Sequence, residues 1–72
     1  MSIEEFITLF KEELEIEADI TPTTEYMALD GWSSLSMMEL IVLMNDSFCK
    51  TFKVSQIRNC STISDLYHLA ND

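Results

Sequence analysis

Histidine, tryptophan, glycine and proline each occur once in this 72-residue chain, and basic side chains only four times. The single Gly31 and single Pro22, set against 47% apolar residues, exclude a disordered chain and argue for a folded helical one. His68 is the only imidazole, and the only thiols, Cys49 and Cys60, lack a CxxC spacing, so no zinc site is expected. Arithmetic alone leaves a disulfide open; the expectation is two partly buried thiols in a reducing compartment. Four bases against thirteen acids give a net charge of −9. That balance excludes a nucleic-acid binder and is wrong for anionic membranes, so the fitting partners carry basic patches. No charged-then-apolar leader opens the chain, and no apolar run approaches the ~20 residues of a membrane span. A cytoplasmic monomer is expected.

Catalytic machinery is equally scarce. An enzyme needs a nucleophile beside a base, a metal, or paired carboxylates in a pocket. His68 falls near the C-terminus of the last helix, where a His is a dipole partner or simply exposed. No acid–His–Ser arrangement can be drawn, so no catalytic residue is assigned.

What is present is helical periodicity. The length allows one domain, residues 1–72, with a small core near the lower limit for folding without staples. Residues 2–15 read as a first helix, capped by Ser2, with Glu4 and Glu5 in its first turn and Ile3, Phe6, Ile7, Phe10 and Leu14 on one face. Residues 16–33 have no sustained period, and Thr21-Pro22-Thr23-Thr24 breaks any helix. So long a connection in so small a chain needs apolar anchors, for which Ile16, Ile20, Tyr26, Met27 and Leu29 are candidates. Residues 34–50 read as a second helix with Leu40, Leu43, Met44 and Phe48 in one stripe and Ile41 beside it. Leu35, Met38, Glu39, Val42, Asn45 and Asp46 fall largely on its other side. That face suits a partner surface, although Met38 and Val42 could instead widen the core. A turn or two around Val54 and Ile57 follows. Ser61 or Thr62 can then cap a last helix with Ile63, Leu66, Tyr67 and Ala70 buried.

The junction Asp30-Gly31-Trp32-Ser33-Ser34-Leu35-Ser36 is where loop becomes helix. Asp30-Gly31 signals a turn, and hydroxyls just after it are exposed beside the positive end of a helix dipole, a good place for a phosphate ester. Three serines are also a capping device: Ser33 can cap the helix, and Ser36 with Glu39 fits a capping box. Trp32 is expected to pack as a lid over the helix ends, with contact to a ligand or partner as the alternative.

Gly31-Trp32-Ser33-Ser34-Leu35 followed by Met38-Glu39-Leu40 resembles the modification site of acyl carrier proteins and thiolation domains, and the similarity spans nearly the whole chain. The resemblance implies an all-α four-helix bundle with a long first loop and a short third helix. It implies that Ser34 bears 4′-phosphopantetheine from coenzyme A, attached by a phosphopantetheinyl transferase. Leu35 matches the leucine after that serine and Glu39-Leu40 the acidic-apolar pair a turn later, while Ser33 stands where the family usually has aspartate. The arm would hold acyl or aminoacyl groups as thioesters, as in fatty-acid, polyketide or nonribosomal peptide biosynthesis. Loading and transferring enzymes with basic patches would dock on Leu35, Ser36, Met38, Glu39, Val42 and Asp46. Ser36 and Asn45 stand where that family often has acids. A core lined by Leu40, Leu43, Met44 and Ile63 could shelter an acyl chain or simply be well packed. The competing reading is an unmodified helical adaptor that binds a partner through the second helix.

Overall fold

The computed structural model describes residues 1–71. Among them it contains four α-helices and no strand: α1 (Ile3–Glu13), α2 (Ser34–Phe48), α3 (Val54–Arg58) and α4 (Ile63–Asn71). This is the expected order of long, long, short and medium helices.

Helix α1 starts where its capping residues dictate. The Glu5 amide donates to Ser2 Oγ over 3.2 Å, and the Ser2 amide donates back to Glu5 Oε1 over 3.3 Å. Its end comes earlier than the expected residue 15. Glu15 adopts a left-handed φ of 53°, its amide donates to the Glu12 carbonyl, and the Ile16 amide donates to the Lys11 carbonyl. Those two bonds form the Schellman closure, usually made by glycine, here with a glutamate in the left-handed position. Helix α2 likewise ends at Phe48 rather than residue 50, because Cys49 takes a φ of 53°. Cys49 is therefore exposed rather than partly buried; Cys60 is buried, and the two thiols are free.

The long first loop is held at both of its halves. Ile20 and Tyr26 are buried, the latter within a 3-10 turn over Tyr26–Ala28. Ile16 and Leu29 pack partly against the core, whereas Met27, expected as an anchor, is exposed. Loop carbonyls also serve α4: Ile63 N–H donates to Thr24 and Ser64 N–H to Pro22, over 3.2 and 2.8 Å. Asp65 completes that helix start by accepting from the Ser61 and Thr62 amides, while Thr62 Oγ1 accepts from the Asp65 amide. Those two backbone donors hold the Asp65 carboxyl below its ordinary range.

The core is closed by Phe6, Phe10, Tyr26, Leu40, Met44, Ile57, Ile63 and Leu66, all fully buried. The stripe expected on α2 holds at Leu40, Leu43 and Met44, and Met37 extends it one turn towards the N-terminus. Phe48 is only partly buried, because it lies at the helix end against the rings of Phe6 and Tyr67. Phe6 meets Phe48 while Phe10 stacks on Trp32, so α1 and α2 run antiparallel. Asn45 leaves the solvent face to which periodicity assigns it: its Oδ1 accepts from the Phe52 amide over 2.9 Å, helping to seat the buried Phe52.

The Tyr26 hydroxyl ties the loop to the end of α3. It donates to the Ile57 carbonyl over 2.6 Å and lies 3.1 Å from the Cys60 carbonyl. Burial pushes the Tyr26 phenol well above its ordinary pKa and also raises that of the Cys60 thiol.

Candidate functional site

The site begins at a turn. Trp32 N–H donates to the Leu29 carbonyl over 3.1 Å, with Asp30 and Gly31 between them. Gly31 has a φ of 78°, the positive angle that the third residue of a type II turn requires. Nothing lies within 4 Å of where a Cβ would stand on Gly31, so backbone conformation, not crowding, asks for glycine.

The turn delivers Trp32 into the bundle. Its ring stacks on Phe10 at 6.3 Å and 8° and meets Tyr26 edge-on at 5.5 Å. Trp32 is thus a lid over α1 and the first loop, as expected, and it anchors the backbone immediately before α2.

Ser33 is then the N-cap, extended at φ −143° and ψ 178°. Its Oγ accepts from the Ser36 amide over 3.4 Å, and Ser36 Oγ accepts from the Ser33 amide over 3.3 Å. Sequence reasoning pairs Ser36 with Glu39; the structure instead pairs it with Ser33. The reason is positional: Ser36 is the third residue of α2, so its side chain faces back to the cap. Ser34, the first residue of α2, lies between these two partners, and its exposed hydroxyl bonds to no described residue.

The electrostatic setting differs from that of α1 and α4, which carry acids in their first turns. No acid occupies the first turn of α2, although the chain carries −9 overall. The positive end of the helix dipole therefore faces Ser34 without a neighbouring carboxylate on its own turn. A phosphodiester fits there: the hydroxyl is accessible, and a negative ester meets backbone N–H dipoles. Among the described residues, no group of three or more His, Cys, Asp or Glu could hold a metal.

Beyond the serines, α2 exposes Leu35 and Met38 at 65% each and Val42 at 58%. Glu39 and Asp46 are exposed on the same helix, while Ser36 is half-buried with its hydroxyl committed to the cap. Leu35, Met38, Glu39, Val42 and Asp46 thus share one accessible face, and Met38 and Val42 do not widen the core. Sequence reasoning missed two contributors to the geometry. They are Met37, which seats the start of α2 and could have been found three residues before Leu40, and the Ser33–Ser36 pairing.

The phosphopantetheine attachment site family model matches residues 4–70. Neither the curated proteins nor the solved structures yielded a match.

Proposed function

Because this chain belongs to the phosphopantetheine attachment site family, we propose that Ser34 bears the prosthetic arm and that residues 1–72 act as one carrier domain. The family carries 4′-phosphopantetheine covalently, which gives this chain a carrier role. The observation that supports Ser34 is hydrogen-bond economy at the start of α2. Ser33 and Ser36 consume each other's hydroxyls and amides, whereas the Ser34 hydroxyl is exposed and unbonded to described residues.

When attached, the arm supplies a terminal thiol on which an acyl or aminoacyl cargo is held as a thioester. The chain's own residues do the rest. Ser33 and Ser36 hold the first turn of α2, Trp32 pins the preceding turn, and the acid-free N-terminus favours the ester's negative charge. The carrier itself performs no catalysis in this reading; it presents cargo to loading and transferring enzymes, and the tether raises the local concentration at each. Those enzymes meet Leu35, Met38, Glu39, Val42 and Asp46, with Ser36 at the edge of the face.

Intact-mass measurement after co-expression with a phosphopantetheinyl transferase tests the assignment. The unaltered chain, Ser33→Ala and Ser36→Ala gain the mass of the arm, and Ser34→Ala gains none. Ser33→Ala also loses about 0.5–2 kcal/mol of stability as a removed cap. Mass gained by Ser34→Ala would overturn the site, and no gain by any of the four would favour the unmodified adaptor.

A further inference from the structure

A groove of about 430 Å³ runs between α1 and α2. Leu9 and Glu13 of α1 form one wall, and Met38, Glu39, Val42 and Asp46 stand on the other. Sequence periodicity does not find this groove, because it places Leu9 outside the buried face of α1 and joins no residue of α1 to the exposed face of α2. The apolar part is Leu9, Met38, Val42 and the buried Leu43; the acids are Glu13, Glu39 and Asp46, one from α1 and two from α2. Lys11, the only base on α1, is two positions from both Leu9 and Glu13, which puts it on the other side of the helix.

Size and charge together select the occupant. From Met38 to Asp46 the groove follows eight residues of helix, about 12 Å, or roughly two turns. Two turns is the span of i, i+3/i+4 and i+7 anchors on a helix laid into a groove. Three carboxylates with no base among the lining residues demand cations flanking those anchors. A second copy of this chain would bring the same three acids to the contact, so self-association is opposed by like charge.

We infer that the α1–α2 groove receives an amphipathic helix of a partner protein, with apolar anchors between Leu9, Met38 and Val42 and Lys or Arg set against Glu13, Glu39 and Asp46. This rests on the carrier reading for its biological setting and extends the partner surface from α2 onto α1. Docking of that helix does not require the arm, so the two readings fail separately.

The test uses a fluorescent Leu/Lys peptide with Leu at i, i+3, i+4 and i+7, titrated with the full chain before and after phosphopantetheine attachment. Saturable binding is expected in both forms, weakened about tenfold or more by Glu13→Lys and by Val42→Lys. Glu17→Lys makes the same charge change as Glu13→Lys outside the groove, and is expected to change binding less than about twofold. Equal weakening by Glu13→Lys and Glu17→Lys would reduce the attraction to net charge and overturn the groove, as would absent or non-saturable binding. Amide chemical-shift mapping on the unaltered chain needs no variant to fold. Shifts clustered at Leu9, Glu13, Met38 and Val42 support the docking site, and shifts clustered elsewhere overturn it. Intact mass, read on the same samples, reports the Ser34 assignment independently.

Discussion

At the scale of single residues, Tyr26 has the most to lose. It is fully buried in a loop, and its hydroxyl serves carbonyls more than thirty residues away at the end of α3. Tyr26→Phe keeps the ring in contact with Phe10 and Trp32, and the Ile57 carbonyl still accepts from the Cys60 amide, but the Cys60 carbonyl loses the phenol as donor. Leaving a buried acceptor unsatisfied costs about 1–3 kcal/mol. A chain of this size has a total stability of roughly 4–10 kcal/mol, so the loss should be plain as a lower urea midpoint. An unchanged midpoint would mean that water replaces the phenol at α3. Cys49 and Glu15 show the opposite economy: each holds a left-handed backbone that glycine adopts more easily, in order to end a helix.

At the scale of an element, α4 depends on its N-terminal cap. Asp65 accepts from the Ser61 and Thr62 amides, and its carboxyl titrates below the ordinary 3.8. A folded-state pKa below the unfolded one stabilises the fold above the unfolded value. That contribution disappears as pH falls through the folded value. Asp65→Ala should therefore melt at a lower temperature than the parent at neutral pH. The gap should close in acid, below 3.8, where both chains lack the charged cap. Thermal melts followed by circular dichroism across that range measure the gap. A constant difference down to the most acid point would assign the effect to lost helix packing instead. The same cap explains how the long loop stays ordered, since Pro22 and Thr24 carbonyls accept the next two amides of α4.

At the scale of the whole molecule, charge and size decide the response to salt. The Cα trace extends over 28 × 24 × 18 Å, and the chain carries −9. At about 0.01 M salt the Debye length is roughly 30 Å, so every acid feels the others across the molecule. At about 0.15 M it is roughly 8 Å, and only near neighbours still repel. Melting temperature should therefore rise between these two salt concentrations, and divalent cations should raise it further. A melt that does not move would show that the acids are already spaced widely enough to ignore one another. Among the described residues, no helix is long and apolar enough to cross a membrane.

The number, order and type of the helices were legible in the sequence, because 3.6-residue spacing of Phe6 and Phe10, of Leu40 and Met44, and of Ile63 and Leu66 reports one buried face per helix. The position of Ser34 at a loop-to-helix junction was legible for a related reason: Asp30-Gly31 marks a turn before a periodic run. What periodicity could not decide was anything set by contacts between elements. Helix ends at Glu15 and Cys49 depend on left-handed closure by residues that rarely adopt it, so local preference misplaced them. Asn45 reads as a solvent residue until the buried Phe52 brings its amide within reach. Phe48 fits the buried stripe, yet lies at a helix end where the bundle covers only part of its ring. The joint face of α1 and α2 exists only once Phe6 meets Phe48 and Phe10 meets Trp32, because antiparallel packing is what sets Leu9 beside Val42. Local spacing determines which side of each helix is apolar; which two sides form a groove is decided only when the helices pack.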